Sequence, residues 1–313
     1  MKSSATAVVF PGQGAQRPGM GKDFYDNIAV SRDTYEEASQ VLNWDVAALC
    51  FNGEEHMNLT EYAQPCILTT EIAMFRGLEE LYGFCPDYFG GHSLGEYTAL
   101  VAAGAMPFSE ALTIVETRGR MMQEATPPGE GAMAAVIAED LDEASLRDIL
   151  ADLPVDIANI NSASQIVVSG RADSMEIVQK RLEQADEDSG KLRFVPLNVS
   201  APFHSRFMNV IKDGFRDVLN SIAHHLNTEK ARRVTSNYTG RFHAEKATGV
   251  IEALASQVCG AVKWRDNMQA LAERAQRIYE IGPNRPLKSF FRSMGVSCRS
   301  ITTFSAATRE FCS

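Results

Sequence analysis

Residues 90–97 read GGHSLGEY, a serine with glycine two positions before it and two after. At average Gly and Ser frequencies a G-x-S-x-G string arises by chance in about one 300-residue chain in ten, so the flanking pattern has to decide. Before it, DYFGG (87–91) reads as a short strand; after it, the Ala-rich SLGEYTALVAAGA (93–105) reads as a helix. A strand that turns at once into a helix needs residues without side chains at Gly91 and Gly95, and it pushes the Ser93 hydroxyl into a cleft. The competing reading, a serine N-cap with glycines for close packing, requires no paired base elsewhere in the chain.

Outward from this stretch, β-like apolar runs alternate with amphipathic helices, the signature of an α/β protein. ATAVVF (5–10) reads as a buried strand that stops at Pro11-Gly12, and EYAQPCILTTEIAMFRGLEELYGF (61–84) as a helix with Pro65 in its tolerant first turn. FSEALTIVETRGRMMQEA (108–125) makes another helix. TPPGEG (126–131) is the strongest linker signal, and the segments after it run strand 131–138, helix 141–153, strands 155–161 and 165–170, helix 172–185 and strand 191–198. That βαββαβ order is the ferredoxin-like unit. The expected architecture is a large α/β-hydrolase-like domain with a parallel sheet, built from residues 1–127 and 200–313, into which a small ferredoxin-like domain, 128–199, is inserted. A helix over 205–222, the segment VTSNYTG (234–240), helices through 251–258 and 265–275, a strand at 277–282 and a closing helix and strand complete the pattern.

Composition narrows the function classes. With 45% hydrophobic and 22% charged residues the chain is neither disordered nor fibrous, and a net charge of −10 argues against nucleic acid as a partner. The charge is unevenly placed: residues 1–200 hold 13 Lys and Arg against 31 Asp and Glu, residues 201–313 hold 17 against 9. The basic C-terminal part, densest at EKARR (229–233), is either a docking surface for an acidic partner or an ordinary solvated face. The six cysteines show no C-x-x-C pair and no histidine pair has zinc-ligand spacing, so no metal site is expected. The apolar stretch at Ala7–Phe10 is too short for a signal-peptide core and no run is long enough for a membrane span, which points to a cytoplasmic address.

A serine hydroxyl needs a base. Among six histidines, His56 lies in a charged loop, His224 and His225 close a polar helix end, and His92 is expected on the other side of the strand from Ser93. His204, in APFHSRFM, follows a Pro-fixed extended segment at the mouth of a helix, where the dipole would favour a neutral imidazole able to accept the serine proton. Spacing alone leaves a structural cap open as the alternative. Arg118 sits on the apolar stripe of its helix, with Ala111, Ile114, Val115, Met121 and Met122, while Arg120 is rotated away. An inward arginine needs an anion, either a substrate carboxylate gripped by the guanidinium or an internal Asp or Glu. PGQGAQRPGMG (11–21) lacks the Lys-Ser/Thr of a phosphate loop and carries Arg17 where a dinucleotide motif needs glycine. A loop there, at the edge of a parallel sheet, is better placed to lend the Gln13 N–H to an oxyanion.

FPGQGAQ, QP at 64–65, GHSLGEY, ETRGRMMQ, APFHSRFM, SNYTG, Gln257 followed by VKW, and EIGP, in this order across nearly the whole chain, resemble the malonyl-CoA:acyl-carrier-protein transacylase family. The resemblance implies Ser93 as nucleophile, His204 as general base, and Arg118 as the clamp on the malonyl carboxylate. It also implies an oxyanion hole from the Gln13 and Leu94 amides, Gln64 lining the site, and the Gln257 main-chain carbonyl orienting His204. Malonyl-CoA is then the donor substrate, a holo acyl carrier protein the acceptor partner, and no cofactor is bound. Phe203 beside His204 resembles the malonyl-preferring members, where its ring restricts room at the α-carbon. Hydrolysis of carrier-bound thioesters and transfer of another extender unit use the same residues and stay open at this stage. A non-catalytic docking module has no use for Ser93, His204 and Arg118 together.

Overall fold

In the computed structural model the described residues are 5–53, 55–139, 141–185, 191–199 and 201–312. The expected domain boundary at Ser200, and within the inserted unit Asp140 and residues 186–190, lie outside them.

Four parallel strands form the main sheet: β1 (Thr6–Phe10), β2 (Tyr88–Gly91), and, near the end of the chain, Arg277–Ile281 and Cys298–Ile301. β1 is inner, paired with β2 on one side and Arg277–Ile281 on the other. Every residue of β1 is buried, as expected of a parallel strand covered on both faces. β1 and β2 end level, Phe10 opposite Gly91, so the loop carrying Gln13 and the turn carrying Ser93 leave the same edge of the sheet. This is where open α/β sheets place their sites.

The second sheet is antiparallel, in the order β4-β5-β3-β6 with β3 Gly131–Ile137, β4 Val155–Ser162, β5 Gln165–Arg171 and β6 Arg193–Pro196. Helices Glu143–Leu150 and Met175–Ala185 complete the βαββαβ order, and Val136, Leu146, Ile157, Ile166, Val178 and Leu182 belong to a core of their own. This sheet is tied to the segment before the helix Trp264–Ala272: Ile160 donates its amide to the Val262 carbonyl at 2.9 Å and Val262 returns the bond to Ala158 at 2.8 Å. A short ribbon, β7 (Thr235–Ser236) with β8 (Arg241–Phe242), lies next to β2; the last two strands of the main sheet are accordingly β9 and β10.

Several elements depart from the pattern reading. The long helix starts at Thr60, one residue before the expected start, and Pro65 lies past its first turn, where its missing N–H forfeits a bond to the Glu61 carbonyl. His204 is not at the mouth of an α-helix: a short 3-10 turn, Arg206–Met208, intervenes before Asn209–Ser221. Helices at Lys22–Asn27, Ala29–Leu42, Val46–Asn52 and Phe304–Phe311 have no counterpart in the reading.

Candidate active site

The turn at Ser93 is as tight as its glycines suggest. A Cβ on Gly91 would stand 2.0 Å from the Gly95 carbonyl, and one on Gly95 2.1 Å from the Phe10 carbonyl oxygen, so β1, β2 and the helix Gly95–Ala102 meet backbone to backbone. Ser93 itself is left-handed, with φ 53°. A non-glycine residue there stores strain that its surroundings must hold. Asn237 does so: its Oδ1 accepts the Ser93 amide at 2.6 Å while its Nδ2 donates to the Gly91 carbonyl at 2.7 Å and to Asn267 Oδ1 at 2.8 Å.

His204 is the second non-glycine residue of the site at positive φ, 56°, and it faces Ser93. Ser93 Oγ and His204 Nε2 are 2.8 Å apart, and His204 Nδ1 lies 2.7 Å from the main-chain oxygen of Gln257. A carbonyl accepts only, so Nδ1 carries the hydrogen and Nε2 presents its lone pair to the serine. Burial first, then the Arg118 guanidinium, push the imidazole down to about 3, against the pull of the Gln257 carbonyl. Neutrality thus arises from burial and a neighbouring cation, not from the helix dipole the sequence suggested.

Arg118 comes from the helix Phe108–Glu124 and is 1% exposed. Its neighbour Gly119 lets that helix approach closely, since a Cβ there would meet the Thr60 carbonyl oxygen at 2.6 Å, and this brings Arg118 beside Gln64. Nη1 donates to Gln64 Oε1 at 2.8 Å, and Nη2 donates to Gln257 Oε1 at 2.9 Å and to Ser93 Oγ at 3.2 Å. The guanidinium also lies over the Tyr97 ring, 5.4 Å from its centroid. Among the described residues no carboxylate forms an ion pair with it, so the internal salt bridge left open above is not made. Its hydrogen-bond acceptors are two amide oxygens and a hydroxyl.

These groups sit in a cavity of about 1060 Å³, walled by strands of the antiparallel sheet on one side and by the loops that leave the main sheet on the other. Gln13, Gln64, Ser93, Arg118, Phe203 and His204 line it, so all six come together as expected. The Gln13 and Leu94 amides donate to no acceptor among the described residues; Gln13 lines the cavity, while Leu94 is buried behind it and outside the lining. His92 departs from expectation: it lines the same cavity instead of the far side of the strand, with Nε2 2.8 Å from Asn161 Oδ1. The EKARR segment stays apart from the cavity lining, and two of its cations are tied into the fold. Arg233 donates to the Pro86 and Asp87 carbonyls, and Arg232 pairs with Glu245 at 3.2 Å.

With this arrangement in view, the family model for the acyl transferase domain matches residues 7–283. The malonyl CoA-acyl carrier protein transacylase of Bacillus subtilis is 36% identical over 98% of this chain and 96% of its own. The chain belongs to the malonyl-CoA:acyl-carrier-protein transacylase family. Among solved members, FabD from Acinetobacter baumannii superposes with a TM-score of 0.90 at 33% identity, covering 99% of this chain and 98% of that one. A malonyl-transacylase solved in complex with a type II polyketide-synthase acyl-carrier protein gives 0.89 at 33% identity, over 98% and 99% of the two chains. The transacylase fold accounts for both sheets of the present chain.

Sequence reasoning missed three residues around this candidate site. Asn237 lies in the quoted SNYTG without a role, Glu96 inside GGHSLGEY, and His243 among the unassigned histidines. Glu96 Oε1 and His243 Nε2 are 2.9 Å apart with both side chains fully buried. The one signal in the sequence was Glu96 itself, an acidic residue within an otherwise apolar helix.

Proposed function

We propose that the protein carries malonyl from coenzyme A to the phosphopantetheine thiol of an acyl carrier protein through an ester on Ser93. The observation that carries this reading is the three-way contact of Ser93 Oγ with His204 Nε2 and Arg118 Nη2, which joins nucleophile, base and carboxylate receptor at one atom.

Ser93 Oγ attacks the thioester carbonyl as its proton passes to His204 Nε2. The oxyanion that forms is met by the Gln13 and Leu94 amides. On collapse the carbon–sulfur bond breaks, His204 returns the proton to the departing CoA sulfur, and malonyl-Ser93 remains. The carrier thiol then gives its proton to His204 and attacks the ester, and Ser93 recovers its hydroxyl proton as it leaves. Arg118 holds the free carboxylate throughout, exchanging the weak contact to Oγ for a charge-assisted pair. Gln64 and Gln257 keep the guanidinium in place, and the Gln257 carbonyl keeps the His204 tautomer without a third acidic residue. Phe203, 7% exposed in the cavity wall, limits room at the α-carbon and so favours malonyl over branched units. No bound cofactor enters the scheme. Residues 128–199 serve as the small domain that forms one wall of the cleft and keeps water from the ester, which its separate apolar core supports. A CoA-linked donor fits the cytoplasmic setting expected from the sequence.

The test is to incubate the protein with malonyl-, acetyl- and methylmalonyl-CoA in turn and weigh the Ser93 peptide. A malonyl adduct that persists until holo carrier protein discharges it is the expected result. Rapid loss to water would indicate hydrolysis instead, and no adduct from any thioester would sink acyl transfer altogether.

A further inference from the structure

Glu96, three residues beyond Ser93, is 0% exposed and plays no part in the scheme above. Its Oε2 accepts from Gln257 Nε2 at 2.7 Å and from the Asn237 amide at 2.9 Å, and its Oε1 faces His243 Nε2 at 2.9 Å. Gln257 therefore stands between this buried carboxylate and the reacting groups. Its Nε2 also donates to the Ser93 carbonyl at 2.9 Å, its Oε1 accepts from Arg118, and its main-chain oxygen takes the His204 hydrogen.

A side-chain amide has two ends of nearly equal shape and opposite polarity. Turned over, the Gln257 amide would point its NH2 at the donors of Arg118 and its oxygen at both the Glu96 carboxylate and the Ser93 carbonyl. Each of those three contacts would be repulsive, and in a buried site such mismatches are costly. Glu96 supplies one of these preferences, because its Oε2 already accepts from the Gln257 Nε2 and the Asn237 amide and would be met by an oxygen instead. We infer that Glu96 is a positioning residue for acyl selection. Together with the Ser93 carbonyl it sets which end of the Gln257 amide meets Arg118, and so holds the guanidinium where the acyl carboxylate must be received. The Asn237 amide holds Glu96 in turn. The inference rests on the roles of Ser93 and Arg118 proposed above.

An uncharged acyl group makes no use of Arg118, and this separates positioning from general damage to the fold. In Glu96→Gln one carboxylate oxygen becomes an NH2 of the same shape, so the side chain no longer presents acceptors at both positions and the Gln257 amide loses part of what orients it. The rate of Ser93 acylation would be measured against donor concentration with malonyl-CoA and with acetyl-CoA, with the melting temperature taken in parallel. KM for malonyl-CoA is expected to rise about tenfold while acetyl loading changes by less than about threefold, so that the malonyl preference falls. An equal fall with both donors, or an unchanged preference, overturns the inference. Should the glutamine variant not fold, Glu96→Asp keeps the charge but loses one methylene of reach. It is expected to show a smaller loss of preference, and an unaltered preference there overturns the inference equally. Wild-type protein that takes no acyl group on Ser93 sinks the acyl-transfer reading and this inference together. Wild type that loads malonyl beside a Glu96→Gln variant of undiminished preference sinks the positioning role alone.

Discussion

His204 is held uncharged by burial and by the Arg118 guanidinium, and both causes are open to measurement. With the imidazole pushed down to about 3, the free protein should show no acid limb near the ordinary histidine value of about 6.5. The kcat/KM for malonyl loading of Ser93 should therefore stay level from about pH 7 to about pH 5, which stopped-flow release of CoA would reveal. Arg118 is the second cause of the depression, so Arg118→Ala should move the limb toward neutrality while burial keeps it below the ordinary value. The same variant should lose its preference for malonyl over acetyl by about a hundredfold, as expected for removing a charge-assisted pair from a buried site. Equal loading before and after the change would make the arginine structural. Ser93, His204 and Arg118 could be read from the sequence because each breaks a local pattern: a serine in a glycine turn, a histidine after a fixed extended segment, a cation on an apolar stripe. Asn237 and Glu96 break no pattern tied to their partners. Asn237 meets Ser93 across 144 positions and Glu96 across 141, so their roles exist only in the folded chain.

The strand–turn–helix at Ser93 is the element on which the site is built, and its left-handed serine is held by Asn237. Asn237→Leu removes the acceptor of the Ser93 amide and orphans the buried Gly91 carbonyl, at a cost of about 2–4 kcal/mol by denaturant unfolding. Acylation of Ser93 should fall more steeply than stability, because the hydroxyl is aimed by the same turn; a variant as fast as wild type would show that the turn holds itself. At this scale the strands of both sheets were legible, since apolar runs bounded by Gly and Pro report burial directly. Pro65 misled by one turn because a buried helix tolerates a lost hydrogen bond when its packing is extensive. The helices within residues 22–52 escaped notice because the strongest signals lay in the strands and turns elsewhere.

Across the whole molecule the antiparallel sheet is tied to the segment that carries His204. Asp156 on β4 accepts from the Arg206 amide at 2.8 Å and from its guanidinium at 2.6 and 3.0 Å, two residues beyond His204. Asp156→Ala should loosen this wall and shorten the life of malonyl-Ser93 in water several-fold, by roughly 1 kcal/mol in barrier, while leaving overall stability nearly unchanged. Mass spectra of the Ser93 peptide after CoA removal would follow it. A second trait is distributed more widely. Glu280, pushed up to about 7 by burial, binds its proton in the native state over a range where the unfolded chain has released it. It therefore favours folding at low pH and loses that contribution as pH rises through about 7. Relative to Glu280→Gln, the wild type should lose about 2 kcal/mol of stability between about pH 5 and pH 8.5 in urea titrations. His204 runs the other way: its depressed value makes the native state lose stability as pH falls from about 6.5 toward 3.

The guanidinium of Arg118, held by the oxygens of Gln64 and Gln257, has a consequence for the bench. Neutral acceptors orient a cation without cancelling its charge, so small organic acids in general are expected to bind at Arg118. Free malonate and other short dicarboxylates should compete with the donor thioester, in proportion to how well they span from Arg118 to the two backbone amides. Buffer salts then cease to be a neutral background. Turnover measured in citrate or succinate should run slower than in an amine buffer of the same pH and ionic strength, and Arg118→Ala should erase the difference.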